Sequence, residues 1–208
     1  MEPRQAAHTL EVIRTLMERT CQYQLLTARA GLAAGCLTLA GAASFLLLDA
    51  SNPLSFGVVW TVVFAGSLCA TCLGTVARGR ERGERIWSRQ ARAIILALAP
   101  SVVAGFVLTV FFFAVGGGMH LYLPSVWMLC YGQGALATSA YAPAPIRYLG
   151  MALLLFGGVT IGLTFALGES WAVPLMAVGF GLGHVALGID LLLKERQERS
   201  VKVFREVA

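Results

Sequence analysis

Apolar residues run through this chain in six long blocks, at about 28–48, 54–77, 93–115, 121–140, 147–167 and 172–192, and polar residues collect between them. Each block reaches the roughly 20 residues that a helix needs to cross a hydrocarbon core. Lipid offers no partner to backbone N–H and C=O groups, so such blocks must bond internally, as helices. The pattern predicts an all-α integral membrane protein with a six-helix transmembrane bundle, arranged as three hairpins. A β-barrel would show short alternating segments instead of continuous runs. The first block follows 27 residues that hold three acids and three arginines, so it reads as a retained helix and not as a cleaved signal peptide.

Charge sets the direction. All 16 Lys and Arg residues fall before or at the start of the first block (Arg4 to Arg29), between the second and third (Arg78 to Arg92), at the junction of the fourth and fifth (Arg147), or after the sixth (Lys194 to Arg205). The alternate loops, around 49–53, 116–120 and 168–170, carry only Asp49 and Glu169. Basic residues near helix ends stay on the cytoplasmic side. Six crossings put every one of them there, with both termini inside. The net charge of +5 then belongs to a face apposed to anionic lipid, not to a nucleic-acid site.

Composition agrees. Of 208 residues, 57% are hydrophobic and 13% charged, where a soluble domain carries about a quarter charged. The chain divides into 1–27, an amphipathic cytoplasmic or interfacial helix carrying Leu10, Ile13 and Met17 at helical spacing; 28–192, the membrane domain; and 193–208, a charged tail. Pro53, Pro124 and Pro174, each with a tryptophan nearby, open blocks 2, 4 and 6. Small residues follow deeper in. Small residues let helix backbones approach, which makes blocks 2, 4 and 6 the expected interior. The arginine-rich stretch 78–92, with Trp87, reads as a loop that anchors topology.

Few polar groups lie inside the blocks. His184 sits mid-block in the sixth, among Gly181, Gly183 and Gly188. An ionisable residue at that depth is a site candidate; the plain alternative is an imidazole bonded to a neighbouring helix. Cys69 and Cys72 share a helix face at C-x-x-C spacing. Cys69 and His184 both lie eight residues from the basic end of their blocks, so a Cys/Cys/His metal site is conceivable, although burial in an apolar helix also suits inert packing thiols. Asp190 and Lys194 are spaced for an ion pair. Tyr131, Gln133, Thr138 and Ser139 give the fourth block a polar stripe that could line a cavity or join helices. His120 and Met119 stand too isolated for a metal reading. No phosphate-binding loop, dinucleotide fingerprint, zinc-protease or nucleophile-elbow motif occurs.

The order of features from Arg92 onward is distinctive: Ala99 and Pro100; Gly105 to Thr109; Leu123 and Pro124 through Trp127 to Tyr131 and Gly132; Pro145 to Gly150, including Arg147; and Gly179, Gly181, His184 and Gly188. With Ile13 to Thr20 ahead of them, these resemble a group of uncharacterised bacterial six-helix membrane proteins, often encoded beside a small winged-helix regulator. The resemblance implies the inner membrane and a regulatory role, and singles out Tyr131, Arg147 and His184 without assigning them chemistry. Members commonly end in a basic, glycine-rich tail, whereas this chain ends in the mixed-charge run that begins at Lys194.

Three readings follow. The first is a non-enzymatic sensor or regulatory subunit that contacts a cytoplasmic protein partner and has no cofactor. The second is an oligomeric small-molecule or ion conduit built on the polar stripe. The third is a redox protein holding haem or a transition metal through His184, with or without Cys69 and Cys72.

Overall fold

The computed structural model describes residues 27–83 and 86–207. The expected amphipathic helix before residue 27 lies outside them. Among the described residues all regular structure is helical. The main helices are α1 (Ala28–Ser44), α2 (Pro53–Arg82), α3 (Arg89–Val115), α4 (Leu123–Ala137) and α5 (Ala144–Leu167). The last, α6, runs continuously through Ala172–Met176, a π-helical stretch Ala177–Leu182, and Gly183–Val207.

Helix ends follow local chemistry. Thr27, Asn52 and Ser88 each turn a side-chain oxygen onto a free backbone N–H at the start of α1, α2 and α3. Pro53, Pro124 and Pro145 occupy first turns, where a missing N–H costs nothing. Gly83, at φ 64°, closes α2 in a left-handed cap. Gly116, Gly117 and Gly118 all have positive φ and make the sharp reversal after α3.

Four helices are long and apolar enough to cross a membrane: α2, α3, α5 and α6. The other two expected spans come out shorter. α1 has 17 residues and its apolar continuation, Phe45–Leu48, is a turn. α4 has 15 residues and is preceded by a 3₁₀ turn, Met119–Tyr122. The arginine-rich stretch also departs from expectation. Arg78, Arg80 and Arg82 extend α2, and Arg89 and Arg92 open α3, leaving only a short connection around Gly83–Ser88. Arginine and alanine are good helix formers, so α2 continues until Gly83 releases it.

The expected interior needs correction at one helix. α4 and α6 are interior, but α2 is peripheral. Half of the apolar window of α6 is buried, against 6% for α2. α1 packs against both α2 and α6, α5 packs chiefly on α4, and α3 leans on α4. The reason lies in the glycines. A methyl on Gly35 of α1 would sit 2.7 Å from the Val185 nitrogen and 2.8 Å from the Gly181 carbonyl oxygen. Gly31 lies against Gly188, and a methyl on Gly188 would meet the Leu32 nitrogen at 2.7 Å. On α4, a methyl on Gly132 would meet the Leu154 nitrogen at 2.7 Å and the Gly150 oxygen at 2.8 Å. These are backbone-to-backbone approaches that only glycine permits. Gly66 of α2 faces only the tip of Leu37.

Polar contacts add to this packing. The Thr160 hydroxyl of α5 donates to Ser125 of α4 at 2.8 Å, with both residues buried. The Trp127 indole donates to Thr109 of α3 at 3.0 Å, and its ring meets Phe106 and Phe64. Trp127 is thus a joint between α3, α4 and α2 more than an interfacial anchor.

Gly132→Ala should lower the stability of the purified protein by about 1–3 kcal/mol, the usual cost of overpacking. Gly158→Ala, where a methyl meets nothing within 4 Å, should leave it unchanged. Thermal unfolding of the two variants in one detergent checks this pair.

Candidate functional site

The π-helical stretch of α6 carries glycine at 179 and 181 and ends against Gly183. Such a turn holds more residues than an α-turn and loosens the hydrogen-bond ladder, so carbonyls there can serve side chains. The Phe180 carbonyl does so. It accepts the Gly183 N–H and also Nδ1–H of His184, at 2.8 Å. Because a carbonyl only accepts, Nδ1 carries the proton. Nε2 of His184 then accepts from the Tyr131 hydroxyl of α4, at 3.2 Å.

Three rings surround this chain of bonds. Phe180 stacks on His184 at 5.5 Å between centroids, only 6° from parallel. Tyr131 lies 5.3 Å from His184 and 5.4 Å from Phe180. The cluster borders the core made by Ala28, Met128, Leu149, Leu153, Leu187 and Leu191. His184 itself is buried. Two residues singled out separately in the sequence, Tyr131 and His184, are therefore direct partners that join α4 to α6.

The other candidates lie elsewhere. Cys69 and Cys72 are exposed on peripheral α2, and the described residues contain no group of three His, Cys, Asp or Glu side chains that could share an ion. Equal depth along two helices does not bring Cys69, Cys72 and His184 together, because depth says nothing of which faces meet. Both ring nitrogens of His184 are engaged, so a metal or haem iron would have to displace Tyr131 or the Phe180 carbonyl. The polar stripe of α4 does not form a line either. Gln133 is exposed, whereas Thr138 is buried and donates to its own Ala135 carbonyl at 2.9 Å. Residues 131 and 133 are about 200° apart on a helix. Arg147 is exposed at the start of α5, with its guanidinium 5.5 Å over Tyr148.

At the basic end, Lys194 donates to Asp190 at 2.8 Å, as their spacing predicts. A second pair was not foreseen. Arg78 of α2 bonds Glu195 of α6, and both side chains are largely covered. The signal for it was weak: both lie at the basic ends of their helices, and nothing in the sequence says that those ends converge. Arg78 Nε remains buried without a partner.

At the opposite end His120 is buried. Nε2 donates to the Ala50 carbonyl at 3.3 Å. The ring stacks on Phe113 at 5.8 Å and meets Phe56 edge-on at 5.1 Å. His120 thus ties the 49–52 turn to the start of α4. On that turn, the Ser51 hydroxyl and then its backbone N–H hold the Asp49 carboxyl below the usual carboxylate range.

Tyr131→Phe keeps the ring cluster and removes one bond. It should cost about 1 kcal/mol, read as a drop in unfolding temperature, and His184→Leu should cost more because it strands the Tyr131 hydroxyl. For Asp49 the folded carboxyl titrates lower than the unfolded one, so its contribution is present above the unfolded value and fades as pH falls through the folded value. Ser51→Ala should move the Asp49 midpoint up in a carboxyl-carbon NMR titration. Comparison of the chain with protein-family models, with curated proteins and with solved structures finds no match.

Proposed function

We propose that this chain is a non-enzymatic regulatory or sensor subunit of a bacterial inner membrane, crossing six times with both termini inside. The observation that carries the reading is the state of His184. The ionisable side chain buried mid-helix has both nitrogens committed to protein partners, Phe180 and Tyr131. It reads as a structural joint, where a catalytic or transport group would present a free nitrogen to a substrate. The distribution of Lys and Arg supports the orientation. In this reading α1 and α4 cross as short helices, with Phe45–Leu48 and Met119–Tyr122 completing their spans.

The working surface is then the basic end. α6 continues unbroken as a helix to Val207, beyond its apolar part, into a run rich in Lys, Glu and Arg. The ends of α2 and α3 add Arg80, Arg89 and Arg92, all exposed, with Trp87 between them. A soluble protein with an acidic docking face fits this surface. The resemblance to membrane proteins encoded beside a small winged-helix regulator makes such a regulator the first partner to test.

The full chain, cross-linked in its own membranes and purified, should bring down one soluble protein, which is lost when residues 1–26 are deleted or Arg80, Arg89 and Arg92 are changed to Glu. Recovery of no soluble protein from the intact chain would contradict the reading.

A further inference from the structure

We propose that the π-helical stretch of α6 is a register switch, coupling the Tyr131–His184 joint inside the bundle to the helix that projects from the basic end. It rests on the regulatory reading for its purpose, but its geometry stands on separate observations. A π-turn within an α-helix stores one surplus residue. When it tightens to α, everything beyond it advances by one residue, about 100° of rotation and 1.5 Å of rise.

Two polar contacts lie beyond the stretch and hold the present register. His184 meets Tyr131 of α4, and Glu195 meets Arg78 of α2. They are eleven residues apart, about three turns, and so share a face of α6. In the advanced register Gly183 takes the place of His184 opposite Tyr131. Lys194 takes the place of Glu195 opposite Arg78. The first exchange removes a hydrogen bond, and the second turns an attraction into a repulsion. Both contacts therefore act as latches on one setting.

The same step moves α1. Leu187 would enter the position of Gly188, where even a methyl meets the Leu32 nitrogen at 2.7 Å. α1 must then part from α6. α1 and the projecting end of α6 therefore move together in one event at the π-turn. Three nearby glycines, 179, 181 and 183, suit a segment that changes its winding, since glycine tolerates the altered dihedrals and approaches.

The test reads register by cross-linking in native membranes, in full-length chains whose five native cysteines are replaced by alanine. One chain carries R78C with E195C, the other R78C with K194C. Both lack Arg78, so the ratio of their yields with a short bifunctional thiol reagent reports register. The expected result is that both link, E195C more strongly. Tyr131→Phe should raise the K194C share about fivefold, the equivalent of one ordinary hydrogen bond. Deleting Val178, whose side chain is exposed, removes the surplus residue. It should abolish the K194C link and keep the E195C link. A K194C chain that never links, or a ratio indifferent to both changes, overturns the proposal. If the deletion yields neither link, its bundle has not formed and the Tyr131→Phe arm decides alone. No partner protein enters this measurement, so its failure is distinct from failure to capture a partner.

Discussion

Contact between the backbones of α1 and α6 is the constraint on which the rest of the bundle depends. Gly31 and Gly35 on one helix approach the backbone of Gly181, Val185 and Gly188 on the other, with the side chains of Leu32, Leu39 and Val185 packed around the contact. In hydrocarbon there is no hydrophobic force to drive helices together, so association rests on dispersion over close surfaces and on the few polar bonds available. Bringing α1 this near leaves α6 enclosed on several sides: α1 at Gly181 and Gly188, Met128 and Phe156 at Gly179, and Leu149 at Gly183. His184 stands on this enclosed helix. Its burial, and the requirement that both nitrogens find partners, are consequences of that packing.

The polar bonds divide the work by position. Ser125–Thr160 joins α4 to α5, Trp127–Thr109 joins α4 to α3, and Tyr131–His184 joins α4 to α6. α4 is one of the two shortest of the main helices, yet it carries all three. A short helix presents little surface for dispersion, and directional bonds compensate for that. α2 has the opposite character. It is long, 30 residues, and mostly exposed, and is held through α1, through the aromatic contact of Phe64, and through Arg78 at its end.

Much of this was legible in the residues. Block length locates α2, α3, α5 and α6, whereas the extension of α2 and α3 through the arginine-rich stretch to the caps Gly83 and Ser88 is absent from the apolar pattern, because arginine continues a helix without being apolar. The interior role of α4 and α6 followed from their glycines. The same rule misplaced α2, because small residues permit close approach without naming the partner, and Gly31 and Gly35 of α1 went unweighed. Tyr131 and His184 were both singled out, but a pairing between residues 53 positions apart leaves no local trace. The π-turn had a trace that was available: glycines at 179, 181 and 183 alternate, and no single face of an α-helix can use all three. The burial of His120 was hidden because it depends on the 49–52 turn folding back over the start of α4.

His184 is a committed joint, with Nδ1–H given to the Phe180 carbonyl and Nε2 receiving the Tyr131 hydroxyl. Nitrogen-15 NMR of the histidine-labelled full chain in lipid bilayers reads both ring nitrogens directly. One fixed tautomer is expected, protonated at Nδ1, with Nε2 accepting a hydrogen bond that is lost when Tyr131 becomes Phe. A ring protonated at Nε2, or one exchanging between tautomers and indifferent to Tyr131, would contradict it.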